Sequence, residues 1–230
     1  PTYLNRLAQL FIGSYELMPK PVLSDFAHIK RYLDTQRQQT VAKILPGEFY
    51  VTKTDELITT VLGSCISACI WDPVGNVGGM NHFMLPIKGQ ALSRESWQTD
   101  NSYPCRYGLW AMEYLINEIL KYGGQRQRLK AKLFGGGRVL PGITTDVGSQ
   151  NCQFAQDYLE NEGIPIISSD LGGPFPRKVL FYPNSGKAMV KKLQSAHNDT
   201  IEQRERLYIE RLSSPVEDTG KIELFQDFEE

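Results

Sequence analysis

Residues 59–86 read TTVLGSCISACIWDPVGNVGGMNHFMLP, and this stretch decides the fold. Three short runs within it, Thr59–Leu62, Ile66–Trp71 and Val77–Leu85, are rich in β-branched and apolar residues and predict strands. Gly63-Ser64 separates the first two, and the turn Asp72-Pro73-Val74-Gly75-Asn76 separates the second and third. Strands joined at such a turn pair antiparallel. Cys65 and His82 each stand about eight or nine residues from its centre, so pairing is expected to bring them level.

Working outward, Tyr107 to Tyr122 carries Leu109, Met112, Leu115, Ile116, Ile119 and Leu120 at helical spacing and stops at Gly123-Gly124. Asn151 to Glu162 repeats the pattern through Phe154, Ala155, Tyr158 and Leu159, ending at Gly163. Leu129–Phe134, Ile164–Ile167, Lys178–Tyr182 and Lys187–Lys192 predict further strands. About seven strands and two amphipathic helices, with short turns between neighbouring strands, predict a mixed α/β (α+β) layered fold rather than a doubly wound parallel sheet. Before this core, Ser24 to Arg37 places Phe26, Ile29, Tyr32 and Leu33 at helical spacing, with Ser24 as candidate N-cap. The division expected is an N-terminal extension over 1–48, a domain over 49–193, and a helix with an acidic tail over 194–230.

The 230 residues carry 25 basic and 26 acidic side chains. A net charge of −1 supplies no general field for nucleic acid. That near-neutrality hides a split: residues 199–230 hold ten acids against four bases, net −6, and the rest hold 21 bases against 16 acids, net +5. A solvated tail is the plain reading of the acidic end, and a partner-binding tail is the other. The opening PTYLNRLAQLFIGSYELMPK lacks the basic start and long apolar run of a secretory signal, and no window reaches the 18 or so apolar residues of a membrane span. The expectation is a soluble, cytoplasmic protein without membrane insertion. Four cysteines, Cys65, Cys69, Cys105 and Cys152, are too few for a disulfide scaffold and lack zinc-ribbon spacing, so no metal is expected.

Of three histidines, His28 and His197 lie in peripheral segments, which leaves His82. A thiol titrates near pH 8.5 and needs an adjacent base to become a nucleophile at neutral pH. Cys65 follows a Gly-Ser break at a strand end, where backbone N–H groups could hold an oxyanion. Two buried core residues would give the same pattern. Asn81 would point to the opposite face of its strand from His82. Thr59 or Thr60 could orient the imidazole, and period-2 geometry allows only one of them to face it. Gly135-Gly136-Gly137 fits no phosphate-loop pattern and reads better as close backbone approach, either to a neighbouring strand or to the Cys65 pocket.

These residues resemble the CheD family of bacterial chemoreceptor glutamine deamidases. The resemblance rests on Thr59-x-x-x-Gly63-Ser64-Cys65-x-x-x-Cys69, Asp72-Pro73, Gly78-Gly79-Met80-x-His82-x-Met84-Leu85-Pro86, Arg106-Tyr107, Lys132-Leu133-Phe134-Gly135-Gly136 and Asp170-x-Gly172-Gly173-x-x-x-Arg177. It implies an α-β-β sandwich. It also implies Cys65 as nucleophile, His82 as base and Thr59 as third member, with Ser64, Gly135 and Gly136 as oxyanion or pocket residues. The implied activity is cofactor-free hydrolysis of glutamine side chains, and of glutamyl methyl esters, on the cytoplasmic coiled coil of chemoreceptors. The implied partner is a CheC-type phosphatase acting on phosphorylated CheY. The alternative, from a different class, is a binding module that controls such a phosphatase with little catalysis of its own.

Overall fold

The computed structural model describes residues 26–85, 103–139, 146–193 and 198–213. Ten strands form two five-stranded sheets: β1 (Lys30–Asp34), β2 (Gln39–Lys43), β3 (Phe49–Thr52), β4 (Glu56–Leu62), β5 (Ile66–Asp72), β6 (Val77–Asn81), β7 (Lys130–Gly135), β8 (Ile166–Leu171), β9 (Arg177–Tyr182) and β10 (Lys187–Lys192). One sheet runs β1-β2-β4-β9-β10 and the other β3-β6-β5-β7-β8. Pairing is antiparallel except at β2–β4 and β7–β8.

Helices α1 (Tyr103–Lys121) and α2 (Val147–Asn161) pack on the second sheet. Met112, Leu115, Ile116 and Ile119 of α1, and Phe154, Ala155, Tyr158 and Leu159 of α2, are buried. Their spacing of three and four residues lays one apolar stripe against the sheet. The Asp146 side chain caps α2 by accepting the Ser149 N–H at 3.1 Å. The first sheet covers the opposite face, where Trp71 of β5 meets Phe181 of β9 edge to face at 6.1 Å. The order helix, sheet, sheet is the layered fold expected from the sequence.

The turn at residues 72–76 forms as read. Asp72 accepts the N–H groups of Val74, Gly75 and Gln125, each at 2.9 Å, and pairs with Arg128 at 2.7 Å. Burial would raise its carboxyl, but Arg128 and these N–H groups hold it well below the usual carboxylate range.

The N-terminal expectation needs correction. Residues 30–43 form a hairpin, β1–β2, not part of a helix over 24–37. Asp34 makes the turn by accepting the N–H groups of Gln36 and Arg37, both at 3.0 Å, and Gln38 takes a φ of 53°. The spacing of Phe26, Ile29, Tyr32 and Leu33 suits a turn leading into a strand as well as a helix. Phe26 and Ile29 are buried, with Phe26 edge to face on Phe49 and Tyr50. Because β2 also pairs with β4, the described part of the expected extension is integral to the first sheet. Ser24 lies outside the described residues. A third helix, α3 (Asn198–Ser213), forms where the appended helix was expected, but Tyr208 and Ile209 pack it against the core and its Ile201 and Leu212 are buried.

Candidate functional site

The site lies between the sheets, at the end where β4 leaves the first and β5 enters the second. The break Gly63-Ser64-Cys65 makes that crossing and points three successive backbone N–H groups the same way. Gly63, Ser64 and Cys65 all donate to one carboxylate, at 2.9, 3.0 and 3.3 Å. Such a cluster of amides is an anion-binding concavity. Asn151 of α2, fully buried, fixes its geometry: its Nδ2 donates to the Ser64 carbonyl and its Oδ1 accepts the Leu85 N–H, both at 2.8 Å.

The pairing of β5 with β6 continues to a bridge between Ile66 and Phe83. In that register Cys65 stands opposite Met84 and His82 opposite Ser67. Cys65 and His82 are therefore diagonal neighbours on one face rather than level, and no hydrogen bond joins them. Asn81 faces the other way, its Nδ2 donating to the Ala111 carbonyl of α1 at 3.1 Å. His82 and Cys65 thus both face the first sheet.

Thr60, not Thr59, meets His82. Thr60 Oγ1 is 2.7 Å from His82 Nδ1, whereas Thr59 Oγ1 donates to the Val179 carbonyl on β9 at 2.8 Å. Successive residues of β4 face opposite ways, and the even one faces His82. The Thr60 hydroxyl also donates to the Ile44 carbonyl at 2.9 Å. With its one proton committed there, it accepts from His82 Nδ1–H, which fixes the tautomer and leaves Nε2 as the basic nitrogen. Nε2 is buried and has no hydrogen-bond partner among the described residues. Burial holds the His82 pKa down to about 3, so the ring is neutral at physiological pH.

The carboxylate on the N–H cluster belongs to Glu205 of α3. Beyond the three amides it accepts the Ser64 hydroxyl at 2.6 Å. Burial, then the charge of Glu205 and its hydrogen bond with the thiol, raise Cys65 well above the ordinary thiol pKa. The resting pair is a neutral thiol turned to Glu205 and a neutral imidazole. His82, Thr60, Ile44, Arg204 and Glu205 line a cleft of about 50 Å³, space for a few water molecules.

The glycine loop braces this site without supplying the expected oxyanion donors. Gly136 N–H donates to the Cys65 carbonyl at 2.8 Å and Gly137 N–H to the Gly63 carbonyl at 2.7 Å, so both are spent. Gly135 sits at a φ of +119°, and a Cβ there would fall 2.2 Å from the Cys65 carbonyl oxygen. Ser64, by contrast, contributes both N–H and hydroxyl. Arg177 is a buried clamp on Asp170 and the Gly172 carbonyl.

Of the other thiols, Cys69 is buried with its pKa raised, Cys152 is half-buried beside Gly136, and the Cys105 side chain lies outside the described ones. Among the described residues no three His, Cys, Asp or Glu side chains stand together as a metal site, and no helix is long and apolar enough to cross a membrane. Asn151 and Glu205 escaped the sequence reading: each lies far along the chain from Cys65, with no local signal to mark it.

A family model described as CheD chemotactic sensory transduction matches residues 84–192. A protein of Halorhodospira halophila, "Probable chemoreceptor glutamine deamidase CheD", is 52% identical over 88% of this chain and 93% of its own length. Proteins of the same name from Saccharophagus degradans and Hydrogenovibrio crunogenus are 47% and 50% identical, over 90% and 86% of this chain and 94% and 100% of theirs. Among solved structures, Bacillus licheniformis hypothetical protein YfiH overlaps 54% of this chain and 50% of its own, at 11% identity and a TM-score of 0.33. A likeness that partial fixes nothing about the site.

Proposed function

Because this chain belongs to the CheD family, we propose that it hydrolyses glutamine side chains of chemoreceptors to glutamate, with Cys65 as nucleophile, His82 as base and Thr60 as the residue that positions His82. The observation that carries this reading is the Thr60–His82 hydrogen bond, which leaves the basic Nε2 without a partner on the face that Cys65 shares. In the reacting complex Nε2 takes the thiol proton, and the thiolate forms a C–S bond to the carboxamide carbon. The oxygen gains the carbonyl electron pair and rests on the N–H groups of Gly63, Ser64 and Cys65. As the C–N bond breaks, His82 returns its proton to the departing nitrogen and ammonia leaves. Water then attacks the thioester, His82 accepts its proton, and glutamate and free thiol result.

A neutral resting pair suits this sequence, since the thiolate forms only when substrate and base are both in place. A glutamyl methyl ester would follow the same path with methanol leaving. The substrate sits on the cytoplasmic part of the receptor, so cytoplasmic location belongs to the same proposal. Incubation with a receptor cytoplasmic fragment, followed by peptide mass mapping, tests it. Glutamine-to-glutamate conversion is expected with the native protein and not with Cys65→Ala. Conversion that persists in Cys65→Ala would remove Cys65 from the role.

A further inference from the structure

We infer that α3 is a built-in plug of the site and that Glu205 acts as an intramolecular product analogue competing with substrate. This rests on the reading of Cys65 as nucleophile. Deamidation turns a glutamyl carboxamide into a glutamyl carboxylate, and a glutamyl carboxylate is the group that occupies the N–H cluster. It accepts from Gly63, Ser64 and Cys65 N–H at 2.9, 3.0 and 3.3 Å and from the Ser64 hydroxyl at 2.6 Å, the same amides that would hold the oxyanion. Glu205 is 3% exposed although it stands on a helix whose neighbours Arg204, Arg206 and Leu207 are exposed. Gly63 is what admits it, since a Cβ there would fall 2.4 Å from Glu205 Oε1.

Three consequences mark the contact as inhibitory rather than catalytic. The donors that would hold the oxyanion are filled. The negative charge of Glu205 beside the thiol keeps its proton on, and Nε2 of His82 stands without a hydrogen-bond partner among the described residues. While α3 is seated, its Ile201, Arg204 and Glu205 wall the cleft that opens onto His82 and Thr60. The seat is of modest size: among the described side chains of α3, Ile201 and Leu212 are buried and Tyr208 and Ile209 pack partly buried against the core, helped by a Tyr208–Tyr107 hydroxyl contact. A helix held this way can yield to a substrate side chain that fits the same donors, and apparent affinity for substrate is reduced by the fraction of molecules in which α3 is docked.

The test uses the full chain, native and as Glu205→Ala and Leu212→Ala, with native circular dichroism required of each variant. Leu212 is buried and makes none of the hydrogen bonds of the amide cluster, so its variant loosens α3 without removing a donor. The readout is the rate of Cys65 carbamidomethylation by iodoacetamide, located by peptide mapping, beside deamidation of a receptor fragment. Both variants are expected to alkylate Cys65 roughly tenfold faster than the native chain. A peptide spanning residues 198–213 should slow the Glu205→Ala variant again, and the same peptide with Glu205→Ala should not. Alkylation no faster in either folded variant overturns the plug. If Glu205→Ala does not fold, Leu212→Ala decides alone. Faster alkylation with no deamidation by any form would leave the plug standing and sink the deamidase reading. Deamidation by the native chain, with neither rate raised in the variants, would do the reverse.

Discussion

Replacing Thr60 by Val keeps the shape of the side chain and removes the hydroxyl that ties the Ile44 carbonyl to His82 Nδ1. Two buried polar groups then lose their partner, at about 1–3 kcal/mol each, so stability should fall by roughly 2–6 kcal/mol. The kinetic effect arises because His82 becomes positively charged as it takes the thiol proton. A hydrogen bond to a charged group contributes about 1.5–3 kcal/mol, which corresponds to a fall in kcat of roughly 10- to 100-fold. Thr59→Val is the matched control: it removes only the bond to the Val179 carbonyl and should cost about 1 kcal/mol of stability with kcat near native. Urea denaturation gives the first quantity, and time-resolved mass mapping of a receptor fragment gives the second. The reasoning fails if Thr60→Val keeps native kcat, or if Thr59→Val loses as much activity as Thr60→Val.

The neutral His82 also makes stability depend on pH. Its folded pKa of about 3 lies below the ordinary value of 6.5, so its contribution is complete above pH 6.5 and is lost as pH falls towards 3, where the unfolded chain binds the proton first. Between pH 6.5 and 5 that amounts to about 2 kcal/mol. The stability difference between the native chain and His82→Gln should shrink by that amount across the interval, and a constant difference would mean that His82 is not buried neutral. Gly135→Ala must fit a Cβ against the Cys65 carbonyl at an unfavourable φ, and should lose about 2–5 kcal/mol in urea denaturation together with most activity. Native stability in that variant would show that the glycine loop does not brace Cys65.

What the sequence made legible was local. The turn at Asp72 to Asn76 and the amphipathic spacing of α1 and α2 are short-range patterns, and they place Cys65 and His82 on neighbouring strands. What it left hidden depends on contacts between distant parts of the chain. Residues 30–43 pair as a hairpin that joins β4, and the spacing of Phe26, Ile29, Tyr32 and Leu33 alone does not separate that from a helix. The choice between Thr59 and Thr60 turns on which face of β4 looks across to the other sheet, because β4 and His82 belong to different sheets. Gly136 stands as a candidate oxyanion donor only until its N–H is found on the Cys65 carbonyl. Glu205 reaches the site from 140 positions away, in a segment that reads as an appended helix and an acidic tail, solvated or partner-binding, with nothing to point it at Cys65.

The proposed chemistry passes through a glutamyl thioester on Cys65. Hydroxylamine present during turnover would intercept that thioester and leave a hydroxamate on the receptor residue being converted. Peptide mass mapping should find the hydroxamate at the same positions that otherwise become glutamate, with the native chain and not with Cys65→Ala. Conversion to glutamate without any hydroxamate, and undiminished in Cys65→Ala, would contradict it.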